Sequence, residues 1–226
     1  MLTYFVSALA ENRNFPDNGK ILELEHEGCK DMGTDPTSSF YDDNATVYAT
    51  RERNLPRSRL DTFLAALPAG ASILELGCGA GQDAAYMLAR GFDVTPTDGS
   101  TELAKQAEAL IGKPVQILRF ETLDIEDAHD GIWAEASLLH VPRAALPDIL
   151  DRTHRALKDN GIFHATFKAG EAEGHDTFGR YYNYPSATWL TALLGNGGWR
   201  DIEMTEADGG GFDGKPTKWL YVKARK

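Results

Sequence analysis

The run Ser72-Ile73-Leu74-Glu75-Leu76 leads directly into Gly77-Cys78-Gly79-Ala80-Gly81, and a segment of helical character from Gln82 to Arg90 follows at once. A strand, a glycine turn and a helix in this order call for a second parallel strand beside the first, which constrains the chain to an α/β sheet. Such a turn also lets the backbone approach a ligand with no Cβ in the way. Gly91 then closes the helix in a left-handed position.

The same alternation continues on both sides of the loop. Leu60, Phe63, Leu64 and Leu67 recur at the spacing of an amphipathic helix that Pro68-Ala69-Gly70 stops. Phe92 to Thr97 reads as the second strand. Ser100 reads as the N-cap of a helix with Leu103, Ala104, Ala107, Leu110 and Ile111 on one stripe. Val115 to Phe120 reads as a third strand and Ile132-Trp133-Ala134 as the core of a fourth. Leu146, Ile149, Leu150, Thr153 and Leu157 mark a helix that Asp159-Asn160-Gly161 ends, and Ile162 to Phe167 is a fifth strand. A helix capped by Ser186 and two strand-like stretches, Trp199 to Thr205 and Thr217 to Ala224, suggest an antiparallel hairpin at the sheet edge. A parallel sheet covered on both faces binds its ligands beyond the carboxyl ends of the strands, where the glycine loop falls.

Two details separate the candidate ligands. A dinucleotide fingerprint would require glycine at position 82, where this chain has Gln82 and sets its third glycine at 81. Glu75 at the strand end repels a pyrophosphate but attracts a ligand bearing an ammonium and a sulfonium, which favours S-adenosylmethionine. Asp98 ends the second strand about twenty residues beyond Gly77, where a carboxylate can accept both ribose hydroxyls.

The runs ILELGCGAGQDA (73 to 84), DGS (98 to 100), DGIWAEASLLHVPR (130 to 143) and ALKDNGIFHATFKAG (156 to 170) resemble the class I S-adenosylmethionine-dependent methyltransferases. The likeness is nearest to a bacterial group loosely related to the tellurite-resistance methyltransferases. It spans about residues 35 to 226, and is strongest from 72 to 170. It implies a Rossmann-like, seven-stranded, mostly parallel sheet with helices on both faces and the last strand antiparallel. It also implies Glu75, Gly77, Cys78, Gly79 and Gly81 around the methionine part of the cofactor, Asp98 with Gly99 and Ser100 at the ribose, Phe120 to Leu123 near the adenine, and Ala136 and Ser137 beside the methionine. Tyr48, with Phe40-Tyr41, resembles the short helix that covers the cofactor in many relatives; Tyr41 is expected to face the methyl acceptor. Glu135 departs from this likeness, standing where a neutral or imidazole side chain is expected.

His140 follows the fourth strand and is the candidate general base, because an imidazole titrates near neutral pH. Of the aromatic run Arg180 to Tyr184, Tyr182 is the candidate for the acceptor wall. The expected reaction is in-line methyl transfer to a small molecule, in which positioning supplies most of the rate. A non-catalytic cofactor-binding module on the same fold and a protein methyltransferase are the alternatives.

Composition bounds the rest. The 226 residues, 42% hydrophobic, suffice for one α/β domain over 35–226 behind an N-terminal extension, 1–34, expected to be poorly ordered. A formal charge of −11 opposes binding to nucleic acid. Cys29 and Cys78 form no metal or disulfide spacing and suit a reducing cytoplasm, no metal is expected, and no apolar run reaches the roughly 20 residues of a membrane span.

Overall fold

The computed structural model describes residues 35–51, 57–212 and 214–226; the N-terminal extension lies outside them. Two short helices, α1 (Pro36–Asp43) and α2 (Ala45–Thr50), precede α3 (Arg57–Ala65). Then strands and helices alternate: β1 (Ser72–Leu76), α4 (Gln82–Leu88), β2 (Asp93–Asp98), α5 (Thr101–Ile111), β3 (Gln116–Ile117), β4 (His129–Ala134), α6 (Leu146–Ala156) and β5 (Leu157–Lys168). A small arm of β6 (Glu173–His175) and β7 (Tyr181–Asn183) intervenes before α7 (Ala187–Asn196) and the hairpin β8 (Arg200–Gly210) and β9 (Pro216–Arg225).

The main sheet runs β3-β2-β1-β4-β5-β9-β8. Pairing is parallel from β3 to β5, and β9 is antiparallel to both its neighbours. This is the seven-stranded, Rossmann-like sheet with its last strand reversed. Alternation along each strand sorts the core into two layers. Ile73, Val94, Trp133 and Ile162 pack with Leu60, Phe63 and Met87. Leu74, Leu76, Ile132 and Phe163 pack on the other face with Ile149, Leu150, Leu190 and Leu194. No described helix is long and apolar enough to cross a membrane.

Several boundaries differ from the sequence reading. β3 holds only Gln116–Ile117, because Phe120 has turned into a 3₁₀ segment. α6 ends at Ala156, and β5 begins at Leu157, paired with His129. Asp159-Asn160-Gly161 therefore lies within the strand as an irregularity, with Asn160 at φ 63°. Gly209 and Gly210 belong to β8, so the hairpin turn is shifted towards Gly214. The β6–β7 arm has no signal in the sequence pattern.

Candidate functional site

The ends of β1, β2 and β4 open on a cavity of about 570 Å³, a size suited to small ligands. Its floor is the glycine loop. Gly77 and Cys78 both donate backbone N–H groups to the Thr97 carbonyl, at 3.0 and 2.8 Å, folding the loop back onto β2. A Cβ on Gly77 would lie 2.5 Å from that of Ser137, so glycine here lets the ends of β1 and β4 meet. Gly79 (φ +56°) faces the cavity, and a Cβ there would touch only the Tyr48 ring, at 3.5 Å.

Gly81 departs from expectation. It does not line the cavity; its Cβ position is 2.9 Å from Ala107 of α5, so it serves the packing of α4 against α5. The thiol of Cys78, at the cavity wall, is pushed up in pKa by burial and by the nearby Glu75 and Asp98, so it stays protonated.

Asp98 is buried and ties the loop together. One carboxylate oxygen accepts from Gly79 N–H and the other from Ser100 N–H, both at 2.8 Å. Burial raises its pKa to about 6 against the pull of those donors. Each oxygen keeps a further lone pair. Ser100 caps α5 by accepting from Leu103 N–H and donates its own hydroxyl to Asp42 at the end of α1, at 2.5 Å. Glu75 lines the cavity, and the buried hydroxyl of Ser137 has no hydrogen-bond partner within the protein.

The residues expected near the adenine, Phe120 to Leu123, divide between the cavity and the core. Phe120 lines the cavity with Leu118, Arg119 and Glu121, but Leu123 is 1% exposed and belongs to the core, because the 3₁₀ turn at Phe120–Thr122 swings it inward. Gly99 and Ala136 both line the cavity, the latter at φ 54° with its N–H on Thr166.

At the opposite end stand Tyr41, His140 and Tyr181. His140 Nδ1 is 2.6 Å from the Tyr181 carbonyl oxygen, and its Nε2 is 2.9 Å from the Tyr41 hydroxyl. Burial lowers the His140 pKa to about 4. The imidazole is thus neutral at physiological pH, and the expected titration near neutrality is corrected. Tyr182 is also corrected: it is 3% exposed and sits behind His140, with ring centroids 4.6 Å apart, while its neighbour Tyr181 lines the cavity. Residues 181–183 form a strand, and successive side chains on a strand point to opposite sides.

The cover over this end comes from three separate elements. Phe40 of α1, Phe178 of the β6–β7 arm and Phe212 of the β8–β9 turn stand within 5.7 Å of one another, centroid to centroid. Arg180, buried and paired with Asp176 at 2.7 Å, sits among them. Tyr48 stacks on Phe212, and Arg51 lies 3.6 Å over the Tyr48 ring. The Tyr41 hydroxyl is hydrogen-bonded to His140 Nε2, and Thr37 accepts from the Tyr181 N–H. The periodicity of these segments gave no sign of this cluster; the density of aromatic residues in 178–184 was the available signal.

Glu135, unusual for its place in the sequence, proves to be held on both oxygens. Arg59 meets one at 2.9 Å and His164 Nε2 the other at 3.0 Å, while Trp133 stacks on His164 at 3.9 Å. His164 and Arg59 hold the Glu135 carboxyl below its ordinary pKa despite burial.

A glycine loop after β1, an acidic residue ending β2 and a cavity at the strand ends are the arrangement in which open α/β sheets bind nucleoside cofactors. Residues 74–165 match a family model described as a methyltransferase domain. A stretch of 108 residues is 34% identical to an S-adenosyl-L-methionine-dependent Diels-Alderase of Talaromyces variabilis, covering 43% of this chain and 36% of that protein. The chain thus spans about a third of that relative's length. Among solved structures, it resembles a 1,6-didemethyltoxoflavin-N1-methyltransferase of Burkholderia thailandensis (TM-score 0.64, 24% identity, 83% of this chain and 84% of that one). It also resembles TehB of Haemophilus influenzae (TM-score 0.63, 17% identity, 83% and 67%). Residues 74–165 thus match a methyltransferase domain, the described residues share the fold of these two structures, and the relative matched over 108 residues is S-adenosyl-L-methionine-dependent.

Proposed function

We propose that the protein transfers a methyl group from S-adenosylmethionine to a small-molecule acceptor by in-line displacement. The observation that carries this reading is one continuous cavity with the glycine loop and Asp98 at one end and the Tyr41–His140–Tyr181 group at the other. In this reading Asp98 accepts the ribose hydroxyls. Phe120 and Leu118 flank the base, and Gly77, Gly79, Glu75, Tyr48, Ala136 and Ser137 surround the methionine portion. The unpartnered Ser137 hydroxyl and the Cβ-free wall at Gly79 suit a ligand in that place.

The cofactor supplies an activated methyl on a good leaving group. The chain's own residues orient the acceptor and exclude water, which α1, the β6–β7 arm and Phe212 do together. With His140 held neutral by burial, the site works by positioning rather than by a strong base.

The likeness to a Diels-Alderase favours a second reading, in which the same cavity binds the cofactor without consuming it and shapes an apolar substrate for cyclisation. One experiment addresses both. The protein is incubated with methyl-labelled S-adenosylmethionine and a cell extract split into small-molecule and protein fractions. Label in the small-molecule fraction is the expected result. Label in protein would support a protein methyltransferase, and cofactor binding without label transfer to either fraction would support the second reading.

A further inference from the structure

Register across the sheet sets a row of polar side chains beside the cofactor end of the cavity. Glu75 of β1 pairs in parallel register with Trp133 of β4, and Trp133 with His164 of β5, so the three side chains leave the sheet on one face. Trp133 packs there against Phe63 of α3. Glu135 lies two residues beyond Trp133, on the same face but past the end of β4, and lines the cavity with Glu75 and Asp83. Arg59 and His164 each hold one of its oxygens, yet neither of them lines the cavity. An ionised carboxylate has about four acceptor sites, so Glu135 keeps both its charge and open lone pairs. Its position is rigid, because Trp133 stacks on His164 and donates through Nε1 to Asp83 at 3.0 Å.

Charge at this end of the cavity is one-sided. Glu75 and Asp83 are each 2% exposed, and Asp98 is buried beside the loop. Arg59 balances one of these carboxylates. Among the described residues, the Lys and Arg side chains that line the cavity are Arg51, which lies over the Tyr48 ring, and Arg119, which is paired with Glu121 beside Phe120. Burial pushes the Cys78 thiol up in pKa, and Glu75, Asp98 and Asp83 push it further, the mark of anionic surroundings. A wall of this kind favours a cation over a neutral group of the same shape. S-adenosylmethionine carries a sulfonium, whereas the S-adenosylhomocysteine left after methyl transfer has a neutral thioether in its place.

We propose that Glu135 is a specificity residue for the charge on the cofactor: its carboxylate, fixed by Arg59 and His164 at the end of β4, makes the cavity prefer a cation at the sulfur position to a neutral group. This rests on the cofactor assignment made above and is independent of the acceptor. Glu75 adds to the preference from the neighbouring strand. The site then holds S-adenosylmethionine and releases S-adenosylhomocysteine readily. Arg59 sets the strength of the preference, because its guanidinium draws on the same carboxylate from outside the cavity. Removing Glu135 and removing Arg59 therefore act in opposite directions on ligand choice, which general damage to the fold would not do.

Calorimetry at neutral pH tests this with S-adenosylmethionine, S-adenosylhomocysteine and sinefungin, in which a carbon bearing an ammonium replaces the methylated sulfur. Both cationic ligands should bind the unaltered protein about tenfold more tightly than S-adenosylhomocysteine. In Glu135→Gln the ratio should fall to about twofold or less, and in Arg59→Gln it should rise above its original value. Loss of a merely structural contact would weaken all three ligands alike and leave the ratio where it was. Equal affinity for the three ligands in the unaltered protein would overturn the proposal without any variant. So would a ratio that survives Glu135→Gln or shrinks in Arg59→Gln. Should Glu135→Gln fail to fold, the unaltered protein and Arg59→Gln decide the matter between them. Binding of none of the three ligands would instead refute the cofactor assignment beneath the proposal.

Discussion

Asp98 serves two purposes that pull against each other. Its carboxylate holds the N–H groups of Gly79 and Ser100, yet burial lifts its pKa from 3.8 to about 6. A raised carboxyl pKa means that the folded chain takes up a proton between about pH 4 and 6. This group's contribution to stability is therefore greatest in acid and is lost as pH rises through 6. Ligand hydroxyls favour the ionised form, so affinity for S-adenosylhomocysteine should fall as pH drops through about 6, and Asp98→Asn should flatten that dependence. Calorimetry on Asp98→Ala at neutral pH should show a loss of about 1.5 to 3 kcal/mol; an unchanged Kd would contradict the ribose assignment.

The loop glycines differ in a way that two variants should expose. Gly81→Ala meets the Ala107 side chain at 2.9 Å and its Cα at 3.1 Å, so it should lower Tm more than Gly79→Ala, which meets only a movable Tyr48 ring. Both pay the left-handed backbone cost of about 1–2 kcal/mol. Gly79→Ala should show the larger loss of cofactor affinity, read by thermal shift with and without ligand. Sequence spacing alone cannot distinguish these glycines, because what separates them is the distance to α5, a contact between segments remote in the chain.

At the scale of elements, α1 is held at four points: Asp42 to Ser100, Tyr41 to His140, Thr37 to the Tyr181 N–H, and Phe40 in the aromatic cover. Phe212 joins that cover from the far end of the chain and also stacks on Tyr48. Phe212→Ala should therefore speed hydrogen exchange in α1 and α2 by tenfold or more while leaving β1, β4 and β5 protected, since loss of a packed ring costs about 3 kcal/mol or more. Uniform exchange across the protein would show that the cover is not a separate unit.

What could be read in advance follows the same division. β1, β2, α5 and α7 carry strong periodicity and caps, Ser100 and Ser186, that act locally. The end of α6 was misplaced because Leu157 continues the helical stripe and yet pairs with His129 across the sheet, a long-range choice. The β6–β7 arm is three residues a side, too short for period-two alternation to register. Tyr182 and Leu123 turn away from the cavity because local strand and 3₁₀ geometry set their direction.

Over the whole molecule, the Arg59–Glu135–His164 group joins α3 to β5 through the end of β4, under the cavity. The Glu135 pKa is depressed, so its contribution is present at neutral pH and is lost as pH falls through that depressed value, the opposite sign to Asp98. Glu135→Gln should destabilise the fold by about 3 kcal/mol, because it leaves a partly buried guanidinium short of its counter-charge. Chemical denaturation at neutral pH would measure it, and a loss below about 0.5 kcal/mol would show the pair to be no more than a surface contact.

β9 lies between β5 and β8, inside the sheet rather than at its rim. During synthesis the ribosome makes residues 216–225 after every other strand, so β5 waits with an open edge until they emerge. A nascent chain stalled before Pro216 carries that unpaired, apolar edge, a template for association with other chains. The interval between making β5 and making β9 is thus when this protein has most need of chaperones.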